Sequence, residues 1–331
     1  MGHLGGDFAR HVVMLPPGGA AAHDTQEHSL SGMLSPTRCP LLQGETMKIG
    51  ATLAFNHRTP PAFIAEAGRI VEEAGFHALW VPEHVLFFLE YESTYPYSSS
   101  GRIPGEPEGL LDPFTALTFV AANTSHIRLG TGICLVPQRQ PVYTARLVAD
   151  LDYLSGGRFD FGVGIGWLAE EFDALCVSFD ARARRCTEYI EAMRALWTQA
   201  EPSFHGETVN IRRCHFNPKP VQAGGPRVLF GGESEPALRR VASHGNGWYG
   251  FNLDPAGVRT KLARLDELLR AEGRNRSELH IAIGPNSKPV NADTVAAYRD
   301  CGVDQLVVAL MAGNTDGLRR RIDAVRSVVG L

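Results

Sequence analysis

The chain has 331 residues, of which 44% are hydrophobic and 21% charged, and its formal net charge is −4. That composition is ordinary for a soluble globular protein and excludes a disordered chain or a coiled coil. The charge gives no electrostatic case for nucleic acid or an anionic membrane, and no apolar run reaches the roughly 18 residues of a membrane helix.

Residues 1–46 read as a disordered N-terminal extension. The run Pro16-Pro17-Gly18-Gly19 breaks any local period, and His3, His11, His23 and His28 follow no zinc-ligand spacing. The short apolar stretch His11-Val12-Val13-Met14-Leu15 stops at a proline, too early for a signal peptide. An upstream start assignment is a second account of this segment. The six cysteines contain no C-x-x-C pair and read as reduced thiols of a cytoplasmic protein.

From Met47 to Leu331 short β-rich runs alternate with longer helical ones. The first expected strand covers 48–55. The helix after Thr59-Pro60-Pro61 has Phe63, Ile64, Ala67, Ile70, Val71 and Ala74 at helical spacing, with Gly75 as its C-terminal cap. The second strand, 78–82, leads into a long aromatic, Pro/Gly/Ser-rich loop at 85–111. Asp112-Pro113 then fits an N-cap and first-turn proline. Strands three and four are expected at 127–136 and 159–166, a helix at 182–197, and a proline-rich irregular segment at 201–226. Strands at 228–230, 247–251, 279–283 and 305–310 complete the set, with helices near 234–244, 255–272, 291–301 and 314–329.

Eight strands, each followed by a helix, imply a parallel sheet with helices outside. An eightfold barrel typically takes about 250 residues. The excess fits insertions after strand two and before strand five, so the expected fold is an α/β (β/α)8 TIM barrel spanning 47–331. In that fold chemistry sits where strands end and the following loops begin.

Glycines mark those ends. Strand four places Gly162, Gly164 and Gly166 on one face, opposite Phe161, Val163 and Ile165; strand three has Gly130 and Gly132, and strand five ends in Gly231-Gly232. Such strands cost stability, and either tight packing or bulges in a narrow barrel, or a flat ligand over its mouth, accounts for them. Gly164-Ile165-Gly166-Trp167-Leu168-Ala169 fits G-x-G-x-x-A, but it lies in the fourth strand and Glu188 falls in a helical pattern, so a Rossmann site is not expected. Gly231-Gly232 before the N-cap Ser234 and Pro236 suits a phosphate at a helix N-terminus, with Glu233 and Glu235 counting against it. Glu83 and His84 close strand two at the active face, where a histidine suits proton transfer or a hydrogen bond to a cofactor ring. No zinc-protease, P-loop or nucleophile-elbow motif is present, and no metal is expected.

The stretch from Leu154-Ser155-Gly156-Gly157-Arg158 through Gly166-Trp167 to Glu171-Phe172 resembles the signature of luciferase-like flavin and deazaflavin oxidoreductases. Arg128-Leu129-Gly130-Thr131-Gly132 through Pro137, Arg185 with Glu188 through Trp197, and Pro218-Lys219-Pro220-Val221-Gln222 match as well, so the likeness spans nearly all of the chain from Met47. It is nearest to the coenzyme F420-dependent subgroup. The resemblance implies a tricyclic cofactor at the strand C-termini, F420 or alternatively FMN. It implies a ring backed by a bulge at Thr131, Gly132 and Ile133, contacts from Gly164 and Gly166, and phosphate contacts from Gly231, Gly232 and Ser234. It implies an acid–histidine pair at Glu83 and His84, a small-molecule substrate and a homodimer. Where some F420 dehydrogenases carry a catalytic glutamate after strand four, this chain has Gly164 to Trp167. A sugar-phosphate dehydrogenase role is therefore not implied, and the long aromatic loop transfers no substrate from a relative.

Overall fold

A computed structural model describes residues 47–331 apart from Glu106. The extension 1–46, with its histidines and Cys39, lies outside the described residues.

The chain runs β1 (Lys48–Thr52), α1 (Pro61–Glu73), β2 (Ala78–Val81), α2 (Pro113–Ala121), β3 (Arg128–Thr131), β4 (Cys134–Leu135), α3 (Pro141–Ser155), β5 (Phe159–Gly164), α4 (Ala169–Ala174) and α5 (Arg182–Thr198). It continues with β6 (Phe204–His205), β7 (Asn210–Ile211), β8 (Arg227–Gly231), α6 (Glu235–His244), β9 (Gly247–Phe251), α7 (Pro255–Ala271), β10 (His280–Gly284), α8 (Ala292–Asp300), β11 (Gln305–Ala309) and α9 (Thr315–Val329). Parallel pairing runs β1–β2–β3–β5–β8–β9–β10–β11 and closes when β11 meets β1, Gln305 opposite Lys48. This is the eightfold α/β barrel expected from the sequence. The segment 85–111 has no regular structure, whereas the second insertion contains the antiparallel pair β6–β7. Glu188 of α5 accepts hydrogen bonds from the backbone N–H groups of Thr208 and Val209, so its buried carboxylate anchors that insertion.

The helices start where their caps place them. Asp112 accepts from the Thr115 N–H and Ser234 from the Ala237 N–H, each with a proline in the first turn. Gly75 follows α1 with φ +87°, the left-handed conformation glycine tolerates.

The third stave differs from the continuous strand 127–136 expected. It is split into β3 and β4, and both pieces pair with β5. Leu129 lies opposite Phe159 and Cys134 opposite Val163, so the third stave advances one residue more than its partner over the same span. That extra residue is a β-bulge, and the peptide bond Gly132–Ile133 within it is cis.

The barrel interior is a small cluster of Ala78, Trp80, Leu229, Tyr249, Ala282 and Val307, separate from the large core between strands and helices. Trp80 is fully buried; its indole N–H donates to Gln305 Oε1 at 3.0 Å, and its ring centroid is 5.0 Å from that of Tyr249. Close packing explains two of the glycines. A Cβ on Gly130 would sit 2.2 Å from the Trp80 ring, and one on Gly162 would sit 2.0 Å from the Thr131 carbonyl oxygen. At those two positions the space is taken by Trp80 and the bulge, not by a ligand.

Candidate active site

At the C-terminal ends of the strands lies a cavity of about 500 Å³, lined by residues from β2, the bulge, β5, β8, β9 and the 85–111 loop. Its floor is Ile133. The bulge carries this side chain over Gly164 and Gly231, where an added Cβ would approach Ile133 Cδ1 to 1.9 and 3.2 Å. The upper glycines therefore make room for Ile133, and Ile133 in turn presents an apolar face to the cavity. Gly132, Ile133, Gly164, Gly166, Gly231, Gly232 and Ser234 all line it. Thr131 does not. It is fully buried and its hydroxyl donates to the Gly162 carbonyl at 2.7 Å, so it holds the bulge to β5 from below.

One end of the cavity combines a helix N-terminus with a cation. Gly232, with φ +103°, turns the chain into α6, whose N-cap is Ser234. From the second turn of α6, Arg240 reaches the same cavity. Its Nε is buried without a hydrogen-bond partner, and Arg240 pairs with no carboxylate among the described residues. Burial holds its guanidinium below the usual arginine value. Of the two acids that argued against an anion, Glu235 lies on the surface and Glu233 lines the same cavity. Glu235 pairs with Arg239 and Arg264 on the surface, while Glu233 accepts from the Phe251 N–H at 2.8 Å and the Tyr97 hydroxyl at 2.9 Å. Burial pushes the Glu233 carboxyl up from its ordinary value. A half-buried cation with no ion-pair partner among the described residues, beside a helix N-terminus, is an arrangement that an anion such as phosphate would satisfy.

At another wall, His84 turns its ring to the cavity. Its Nδ1 lies 3.2 Å from Glu171 Oε2 and 3.3 Å from Oε1, while Nε2 has no protein partner. Glu171, at the first turn of α4, is completely buried. It also accepts from the Val85 and Leu86 N–H groups at 2.6 and 3.0 Å and from Gln138 Nε2 at 2.9 Å. Burial raises its pKa, but the hydrogen bonds from His84, Gln138 and the backbone outweigh that and leave the carboxyl below its usual range. An ionised acceptor at Nδ1 fixes the proton on that nitrogen in neutral imidazole, so Nε2 faces the cavity as the proton acceptor.

Glu83, the acid expected from sequence beside His84, lines the same cavity. It is buried, with Oε2 accepting from the Leu135 N–H at 2.6 Å and Oε1 accepting from Arg139 Nε at 2.7 Å. Arg139 also pairs with Asp112. Both oxygens are committed, and Glu83 fastens the end of β2 to β4.

The remaining wall is aromatic. Tyr95 meets Trp167 with ring centroids 5.2 Å apart and Tyr97 at 5.6 Å, and Tyr97 meets Phe251 at 4.9 Å. Two neighbouring carboxylates of α4 hold this loop. Glu171 takes its start at Val85 and Leu86; Glu170 takes its middle, accepting from the Glu92 and Ser93 N–H groups. Burial opposes ionisation of Glu170, yet those hydrogen bonds draw its pKa down to about 2. Glu171, Arg240 and Trp167 are site residues that sequence reasoning did not assign. Glu171 and Trp167 stand inside the quoted signature stretch, which was their available signal; Arg240 had none. Among the described residues no three His, Cys, Asp or Glu side chains gather to hold a metal ion, and no helix is long and apolar enough to cross a membrane.

The family model described as luciferase-like monooxygenase matches residues 41–323. An uncharacterised protein of Mycobacterium tuberculosis is 32% identical over 253 residues, which cover 76% of this chain and 88% of that protein. An FMNH2-dependent dimethylsulfone monooxygenase of Pseudomonas putida is 32% identical over 158 residues, 46% of this chain and 42% of that enzyme. Among solved structures, an F420-dependent secondary alcohol dehydrogenase in complex with an F420-acetone adduct superposes with a TM-score of 0.68 at 16% identity, covering 86% of this chain and 99% of that one, a likeness of fold. With the glycine-lined mouth, its bulge and a family match across most of its length, the chain belongs to the luciferase-like monooxygenase family.

Proposed function

We propose that the protein is an F420-dependent oxidoreductase that transfers a hydride between the deazaflavin and a small organic substrate. The observation that carries this reading is the single cavity with two different ends. An unpaired Arg240 guanidinium and the N-terminus of α6 suit a cofactor phosphate, and His84 Nε2 faces the cavity as a proton acceptor. Between them the apolar Ile133 and the bare backbone of Gly164 and Gly231 suit a flat ring system, because a Cβ at either glycine would press on Ile133. The residues present therefore fit the group.

When bound, F420 supplies a two-electron hydride donor or acceptor; the protein supplies binding, orientation and exclusion of water. Arg240 and the N–H groups around Gly232 hold the phosphate. Ile133 supports one ring face. His84, oriented by Glu171, accepts or returns the proton that accompanies hydride transfer at Nε2. Tyr95, Tyr97 and Trp167 shield the cavity from solvent. A homodimer belongs to the same reading, and exposed apolar side chains on α3 (Val142, Tyr143, Leu147, Tyr153 and Leu154) support it.

The second reading is an FMN-dependent monooxygenase, favoured by the identity to the Pseudomonas putida enzyme. Oxygen separates the two. Turnover of reduced F420 with a panel of small carbonyl compounds is measured in air and under nitrogen. The F420 reading expects equal rates in both. Substrate-dependent oxygen uptake with reduced FMN, and none of the F420 turnover, would replace it with the monooxygenase reading.

A further inference from the structure

The opposite, N-terminal end of the barrel holds a second cavity, of about 450 Å³. The first residues of four strands point there: Lys48 of β1, Arg128 of β3, Arg227 of β8 and His280 of β10, joined by His77 just before β2. Strand starts converge at the barrel base, so one cationic side chain per stave gathers residues far apart in sequence.

Two of the cations share one carboxylate, and Asp152 also acts on Arg128. Asp160, fully buried on β5, bridges the two arginines: Arg128 donates to it from Nε and Nη2, both at 2.7 Å, and Arg227 from Nε at 2.9 Å and Nη2 at 3.1 Å. Asp304, just before β11, accepts from the Ile281 N–H at 2.7 Å. Lys48 makes no side-chain hydrogen bond or ion pair among the described residues, and His280 Nε2 is buried without a partner. The cavity thus keeps two unused nitrogens, Lys48 Nζ and His280 Nε2, after its own carboxylates are engaged. The histidines register the neighbouring cations. Burial first, and then the neighbouring Arg128, Arg227 and Lys48, hold His77 below its ordinary value; burial and the same arginines hold His280 down at about 4.

We propose that this basal cavity is a binding site for a small dianionic oxyanion of the phosphate type. Lys48, His77, Arg128, Arg227 and His280 line this one cavity, and charge-assisted hydrogen bonds to an oxyanion are roughly twice as strong as neutral ones. The site is separated from the mouth cavity by the Trp80–Tyr249 layer and needs no cofactor there. Binding is linked to protons. An anion in the cavity favours the protonated form of both histidines, so it raises their pKa values and binds more tightly as pH falls. The charged and titratable groups that set this response are Lys48, His77, Arg128, Arg158, Asp152, Asp160, Arg227, His280 and Asp304.

Isothermal titration of the full chain with sodium sulfate at constant ionic strength tests the proposal. Sulfate stays dianionic across the range used, about pH 6 to about pH 8, so any pH dependence belongs to the protein. We expect saturable binding that is at least about tenfold tighter at the lower pH, each tenfold equalling about 1.4 kcal/mol. Lys48→Glu, at an exposed and unpaired position, should abolish this pH-dependent binding while the melting temperature stays near that of wild type. His280→Gln should leave weaker binding with a flatter pH response. Arg240→Ala, in the mouth cavity, should leave the pH-dependent binding in place whatever it does to an anion held at the mouth, and inorganic phosphate should displace the sulfate. Displacement by glycerol phosphate as well assigns a site open to phosphate esters; displacement by inorganic phosphate alone assigns the free ion. Absence of saturable heat at both pH values overturns the proposal. So does loss of binding in Arg240→Ala with retention in Lys48→Glu, which moves the anion to the mouth.

Discussion

Gly162→Ala should destabilise the barrel by about 3 kcal/mol, lowering the melting temperature by about 6–12 °C. The new Cβ would stand 2.0 Å from the Thr131 carbonyl oxygen and 3.3 Å from the Trp80 ring. A backbone oxygen in a closed barrel cannot rotate away. Relief requires shifting the bulge, and the bulge is what carries Ile133 into the mouth. Gly164→Ala, two residues along the same strand face, is the informative comparison. There the added atom meets Ile133 Cδ1 at 1.9 Å, the far end of a side chain that can change rotamer. Its melting temperature should fall less, while cofactor affinity should fall because Ile133 is driven into the ring's seat. Thermal melts of both variants check this. A Gly162→Ala protein that melts within a degree of wild type would mean that the bulge does not press on β5 as described.

The second large effect is expected at Glu171. Glu171→Gln keeps the shape but replaces one acceptor oxygen by a donor among four donors: His84 Nδ1, the Val85 and Leu86 N–H groups and Gln138 Nε2. One of those donors must then face an NH2 group, and a buried donor left unsatisfied costs about 1–3 kcal/mol. The imidazole loses the charged acceptor that selects its tautomer. Turnover should drop about 10²-fold, the size of a general acid–base contribution, with KM changing much less. His84→Ala should lose a similar factor in turnover. The double variant should lose little more than either, because the two residues act as one unit. Steady-state kinetics across pH check this: a merely structural Glu171 would lower the melting temperature and leave the turnover of the folded fraction intact. Additive losses in the double variant would separate Glu171 from His84.

Much of the architecture was legible from residue pattern. Alternating β and helical runs located all eight staves, because apolar strand cores and Pro-plus-cap helix starts at Asp112 and Ser234 are local signals. The split of the third stave was not. A bulge adds one residue without disturbing the apolar run from Ile127 to Val136, so only strand pairing reveals it. The glycine face was half legible. Sequence left packing and a ligand both open; in the structure Gly130 and Gly162 accommodate Trp80 and the bulge, whereas Gly164 and Gly231 make room for Ile133 and border the cavity. Glu83 and His84 illustrate the limit of position alone. Both line the cavity, but Glu83 spends its oxygens on Arg139 and the Leu135 N–H, whereas His84 pairs with Glu171. Glu171 lies 87 residues from its histidine, and Arg240 sits in an Arg-Arg pair whose members differ only in which face of α6 they occupy. Both owe their roles to burial, which no local pattern displays.

The central claim is that the mouth cavity seats a phosphate-bearing tricyclic cofactor through Arg240 and the start of α6. Paired fluorescence titrations of the cofactor-free protein with F420 and with FMN, on wild type and Arg240→Ala, test it most directly. The account predicts saturable F420 binding, weaker FMN binding, and a loss of about 10–100-fold in affinity in Arg240→Ala, the value of one charge-assisted hydrogen bond. No saturable binding of either cofactor, or affinity unchanged in Arg240→Ala, would contradict it.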